Sequence, residues 1–107
     1  MIRAGSALAT DLYQLTMVQS YLDHGLTGTA SFEFFVRKMP AHRGFLLFCG
    51  LESVLNFLQS LQFNDSEIAW LKQSGRFSES LTDYLADIRF TGDVDAMPEG
   101  TIFFPNE

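Results

Sequence analysis

"TASFEFFVRKMPAHRGF", residues 29–45, decides the fold class of this chain. Its first part, "TASFEFFVRK", alternates in polarity and is rich in Phe and Val, which is the pattern of a strand. Successive strand side chains point to opposite faces, so Phe32, Phe34 and Val36 share one face and Glu33, Phe35 and Arg37 the other. Pro40 disfavours both helix and central strand, so "MPAHRG" reads as a loop. The apolar run "FLLFCG" that follows is a strand or the entry to a helix, and Gly50 separates it from the next element.

Working outward, helical periods flank this region. In "ATDLYQLTMVQSYLDHG", Thr10 or Asp11 suits the start of a helix and Gly25 its end. Leu12, Leu15, Tyr21 and Leu22 fall near one face, with Tyr13 and Met17 to one side. "LESVLNFLQSL" is the clearest helix, with Leu51, Val54, Leu55, Leu58 and Leu61 on one stripe. Asn64, Asp65 or Ser66 caps a third helix carrying Ile68, Trp70 and Leu71 and ending at Gly75. Ser78 opens a fourth, with Leu81, Tyr84, Leu85 and Ile88 at helical spacing. The tail "RFTGDVDAMPEGTIFF" changes period, and its "PEG" is a turn signal, so a hairpin is expected there. Helices between two strand regions indicate an α+β sandwich.

With 107 residues, the chain is one domain at most, or part of one. Apolar residues make up 47% and charged residues 19%, the composition of a folded segment. Eleven phenylalanines are a large apolar load for one small core, which points to surface meant for another domain or subunit. The formal charge of −6 excludes general nucleic-acid binding, which needs a cationic surface. Cys49, the single cysteine, reads as a small core residue in a reducing compartment. "MIRAGSALATD" lacks the long apolar core of a signal peptide, and no run reaches membrane-spanning length, so a cytoplasmic location is expected. The apolar segment Ile102–Phe104 so near the terminus gives the chain the look of an interrupted one.

Against this acidic background, Arg37, Lys38 and Arg43 place three of the seven Lys and Arg residues in one loop, together with His42. No Asp or Glu lies between Glu33 and Glu52. Guanidinium forks bind phosphate bidentately and an ammonium adds a point charge, so the cluster suits a phosphorylated small molecule. An ordinary solvated loop fits the same residues. Neither a P-loop nor a dinucleotide fingerprint occurs. Asp11 and Tyr13 open the first helix. Asp11 reads as a cap or dipole partner, and Tyr13 carries a ring face suited to stacking on a flat ligand; on the residues alone both read as structural. His24 is expected at a helix C-terminus. His24, His42 and Cys49 share no metal-ligand spacing, and Asp93 and Asp95 read as solvent-facing strand residues. The residues alone offer an anion-binding loop and no catalytic machinery.

Taken in order, "ATDLYQLTM", "FEFFVRKMPAHRGF", "GLESVLNFL" and "YLADIRFTGDVDAMPEGTIFFPNE" resemble the N-terminal region of nicotinate phosphoribosyltransferases. The resemblance runs from about Leu8 to Glu107. It implies a transferase of pyridine nucleotide salvage that joins nicotinate to phosphoribosyl pyrophosphate, with ATP hydrolysis and Mg2+, giving nicotinate mononucleotide. It implies an N-terminal α/β sandwich of a type II phosphoribosyltransferase, lacking most or all of the α/β barrel, and a homodimer in the full-length protein. Tyr13 is the position that lies against the pyridine ring in that pattern, and Asp11 lines the same pocket. Arg37 is the phosphate-holding position, with Lys38 and Arg43 beside it.

The pattern is incomplete in this chain. The family's phosphorylated histidine, barrel phosphate loops and carboxylate-binding arginine belong beyond "FFPNE", and neither His24 nor His42 has the surroundings of that histidine. The expectation is therefore one domain over residues 1–107 that is a fragment of a longer chain, inactive alone, with no catalytic residue and no motif for ATP or metal. A non-catalytic anion-binding or assembly module built on the same scaffold, and a nicotinamide-using relative, are the rival readings.

Overall fold

The computed structural model describes residues 5–106; readings that fall on residues 1–4 and on Glu107 lie outside the described residues. In chain order the elements are α1 (Leu12–Asp23), β1 (Leu46–Leu47), α2 (Leu51–Gln59), α3 (Asp65–Gln73), α4 (Glu79–Asp87) and β2 (Ile102–Phe103). Helices and a small antiparallel sheet make an α+β chain, as the alternation of periods implies. The residues group into two compact units. One takes the chain up to Gly28 together with Phe57–Thr91, and the other takes Thr29–Asn56 together with Gly92 onward.

The first unit is helical, with α4 packed on both α1 and α3. Leu15, Leu71, Leu81 and Leu85 are its buried core, and Val18, Leu22, Ile68 and Ile88 pack against them. On α1 the inward stripe is thus Leu15, Val18 and Leu22, at i, i+3 and i+7. Leu12 and Tyr21, expected on that face, stay exposed. The ends of these helices follow local rules. After α1, the Gly25 N–H donates to the Leu22 carbonyl and the Leu26 N–H to the Tyr21 carbonyl, at 3.1 and 2.9 Å. Gly25 reaches the φ of 63° that this C-terminal motif requires.

At α3, the Asn64 side chain accepts from the Glu67 N–H at 3.0 Å, and the Glu67 carboxylate accepts from the Asn64 N–H at 2.9 Å. This reciprocal capping box fixes where the helix starts. Glu67 also accepts from the Ser6 hydroxyl. Ser78 caps α4 through the Leu81 N–H, and its own N–H donates to Gln19 of α1 at 2.9 Å. Thr82 is buried, and its hydroxyl donates to the Glu79 carbonyl, so no polar atom is stranded there.

In the second unit, β1 and β2 run antiparallel, with Leu46 opposite Phe103 and Leu47 opposite Ile102. The Phe48 N–H donates to the Thr101 carbonyl and the Gly100 N–H to the Phe48 carbonyl, both at 2.8 Å. The Phe48 and Phe103 rings meet edge to face at 6.4 Å, a favoured aromatic geometry. Three expectations are corrected here. Residues 29–38 form no strand, because among the described residues only the Val36 carbonyl in that stretch takes a ladder-like bond, from Asn106. Phe32 and Phe34 accordingly stay 90% and 91% exposed. The tail forms no hairpin of its own: residues 88–101 carry no strand, and β2 pairs with β1, far back in sequence. The "PEG" turn does form, with the Thr101 N–H on the Pro98 carbonyl at 3.2 Å and Gly100 at φ 83°. Cys49 is exposed and not a core residue, since the turn of chain between Phe48 and Gly50 leaves it outside.

The helix α2 begins at the second unit and ends in the first. Leu51, Leu55, Leu58 and Leu61 of its expected stripe are half-buried, and Val54 is exposed. No helix among the described residues is long and apolar enough to cross a membrane.

Candidate functional site

The sequence singles out two sets of residues, and they belong to different units of the fold. Asp11 and Tyr13 stand together at the start of α1. Asp11 occupies the N-cap position with extended backbone, φ −75° and ψ 148°, and its carbonyl accepts from the Gln14 N–H at 3.0 Å. Its side chain makes no capping bond. The expected capping role thus falls to the backbone, and Asp11 is exposed.

Tyr13 is two residues before the buried Leu15, a turn of about 200° around the helix, so its ring leaves on the opposite side. It is 57% exposed. The Tyr13 carbonyl accepts from the Thr16 hydroxyl at 3.0 Å, which stiffens this first turn. Nearby, Thr10, Leu12 and Leu15 share an open recess of about 530 Å3 with Trp70, Arg76 and Phe77. Tyr13 is not one of its walls.

Arg37, Lys38 and Arg43 lie in the loop between Val36 and β1, and all three are exposed. A turn closes the loop, with the Arg43 N–H on the Pro40 carbonyl at 3.0 Å. Pro40 is the first residue of that turn and Ala41 and His42 are its central ones, so the chain reverses between Pro40 and Arg43. The ion pair found among the described residues joins Lys72 to Asp83, at 3.1 Å and well away in sequence. Among the described residues none of the loop cations is held in an ion pair, so their donors suit an anion. His42 is exposed in the same loop, and His24 is the C-cap of α1, its Nδ1 2.8 Å from the Ser20 carbonyl. Asp93 and Asp95 are exposed and lie outside any strand.

Sequence reasoning passed over Glu99. Its carboxylate sits at the N-terminus of α2, where Oε1 accepts from the Gly50 and Leu51 N–H groups at 2.9 and 2.6 Å. Oε2 accepts from Gly50 at 3.2 Å. Nothing local announces this role, because the partners are 48 and 49 residues away in sequence. The "PEG" signal marks only the turn that carries Glu99.

Residues 8–107 match the family model described as nicotinate phosphoribosyltransferase (NAPRTase) N-terminal domain. Over 101 residues the chain is 46% identical to the Mycobacterium tuberculosis protein named nicotinate phosphoribosyltransferase pncB2, covering 94% of this chain and 22% of that one. It is 36% identical to the Bacillus subtilis nicotinate phosphoribosyltransferase, covering 94% and 21%. It is 34% identical to Arabidopsis thaliana nicotinate phosphoribosyltransferase 1, covering 92% and 18%. The chain thus spans about a fifth of the length of these relatives.

Proposed function

Because the chain belongs to the nicotinate phosphoribosyltransferase N-terminal domain family, we propose that it supplies the N-terminal part of the site of such an enzyme. The reaction joins nicotinate to phosphoribosyl pyrophosphate and releases pyrophosphate. In this reading the chain is the N-terminal α/β sandwich domain of a type II phosphoribosyltransferase. The rest of the site, including the barrel, comes from further polypeptide, and the full-length enzyme works as a cytoplasmic homodimer.

The observation that carries the reading is the position of Tyr13, an aromatic ring kept out of the core at the start of α1. A pyridine ring is flat and apolar on both faces, and an exposed tyrosine offers it an offset stack. Asp11 lines the same pocket. Its acceptor oxygens repel the acid group of nicotinate and suit the hydroxyl groups of the ribose. Arg37 engages the pyrophosphate of the donor through its guanidinium fork, with Lys38 and Arg43 adding charge. As the bond from the ribose carbon to pyrophosphate breaks, negative charge grows on the departing oxygen, and preplaced cations stabilise that change. ATP and Mg2+ belong to the family reaction as a proposal only. Among the described residues no group of three His, Cys, Asp or Glu side chains could hold a metal ion.

The test is kinetic, in an active enzyme carrying this sequence as its N-terminal region. Tyr13→Ala weakens nicotinate binding by about 1–3 kcal/mol, the range for a lost stacking partner, and Tyr13→Phe restores most of it. Unchanged nicotinate kinetics in the alanine variant overturn the placement of the ring.

A further inference from the structure

We propose that Glu99 is a positioning residue for the cationic loop 37–45, a role that rests on the reading of that loop as the phosphate-binding element. The residues from Glu99 to Asn106 grip the chain on both sides of the loop. On the entry side, the Asn106 N–H donates to the Val36 carbonyl at 3.1 Å, immediately before Arg37. On the exit side, Phe103 and Ile102 pair with Leu46 and Leu47, and Thr101 and Gly100 bond to Phe48. Glu99 then closes the series on Gly50 and Leu51. Eight consecutive residues therefore fix where the loop leaves and where it returns.

Within this grip, the pairings from Gly100 to Asn106 are made by backbone groups, which most side chains would serve equally. Two positions are chemically particular. Asn106 holds φ at 65°, the one non-glycine residue with positive φ among the described residues, and asparagine tolerates that conformation. Glu99 contributes a side-chain anchor, and it does so with charge. Its carboxylate meets N–H groups at a helix start, where the partial positive charge of the helix end strengthens each bond. Gly50, at φ 98°, turns its N–H toward the carboxylate in a conformation that side chains rarely adopt. The return end of the loop is thus held against α2 by an anchor that a neutral side chain reproduces only in part.

Backbone amide NMR of the chain, with and without inorganic pyrophosphate, tests this in the native sequence, Glu99→Gln and Glu99→Ala. Glu99→Gln keeps the length and one acceptor oxygen, so it preserves the fold if Glu99→Ala does not. In the unliganded glutamine variant the amides of residues 37–45 shift or broaden, while those of α3 and α4 stay in place. Its affinity for pyrophosphate falls roughly fivefold or more, the scale of coupling between linked sites, and the alanine variant falls further. Movement confined to Gly50 and Leu51, with loop amides and affinity unchanged, overturns the proposal and leaves Glu99 a helix cap alone. Movement spread through α3 and α4 also overturns it, as general loss of fold. A native chain that ignores pyrophosphate overturns the phosphate reading of the loop instead; the unliganded loop amides then still decide the role of Glu99.

Discussion

An arginine and a lysine hold a phosphate differently, and residues 37 and 38 place one of each at the mouth of the same loop. The guanidinium is a planar fork that takes two oxygens at once, whereas the ammonium is a compact point charge. Arg37→Ala in an active enzyme therefore raises the KM for phosphoribosyl pyrophosphate by the equivalent of about 1.5–3 kcal/mol, the range for bonds to charged groups. Arg37→Lys recovers part of that loss, because the charge survives and the fork does not. Steady-state kinetics with each substrate varied in turn decides it, and an effect on nicotinate alone places the loop elsewhere. These cations were legible as a departure from an acidic chain, and Tyr13 as a ring in the first turn of a helix. From its own neighbourhood Asp11 was legible as a cap or dipole partner, and its carboxylate makes no capping bond. Glu99 was illegible, because a side chain that bonds to backbone 48 residues away leaves no local pattern.

Helices are closed hydrogen-bonding systems, so their limits are written in neighbouring residues. The Ser78 cap and the Gly25 stop fell where the sequence placed them, and of the three caps it offered for α3 the helix uses Asn64. Asn64→Ala removes an acceptor from a reciprocal cap and lowers stability by about 0.5–2 kcal/mol, read as a lower urea midpoint with unchanged slope. Gly25→Ala meets no atom within 4 Å, so its cost is that of the left-handed backbone, about 1–2 kcal/mol in the same measurement. An unchanged midpoint in either variant contradicts the corresponding end structure. Strands behave otherwise, since each supplies half a ladder and the other half is anywhere in the chain. The alternation in residues 29–38 was real, yet it found no partner ladder among the described residues. The apolar tail found its partner in Leu46–Leu47, where local reading had expected a hairpin. A period of two states which faces a segment offers, and pairing is left to tertiary context.

Across the whole molecule, apolar burial is unevenly shared. Every buried residue of the described chain, Leu15, Leu71, Leu81, Thr82 and Leu85, lies in the helical unit, with Leu71 and Leu81 at 0% exposure. The other unit combines a two-residue ladder, one aromatic pair and the Glu99 anchor with Phe32 and Phe34 in the open. Much of the aromatic excess seen in the composition is thus surface in this chain, and exposed apolar area of that kind marks an interaction face. Local opening is easiest where few apolar contacts are broken and backbone bonds already face water. Amide hydrogen exchange should therefore be slowest in α3 and α4, intermediate at Leu46–Phe48 and Thr101–Phe103, and near the unprotected rate from Thr29 to Phe35. Pyrophosphate slows exchange in residues 37–45 and leaves α4 unchanged, because it adds contacts only at the loop. Protection of Thr29–Phe35 equal to that of α4 in the unliganded chain contradicts this distribution, for those amides have no bonding partner among the described residues.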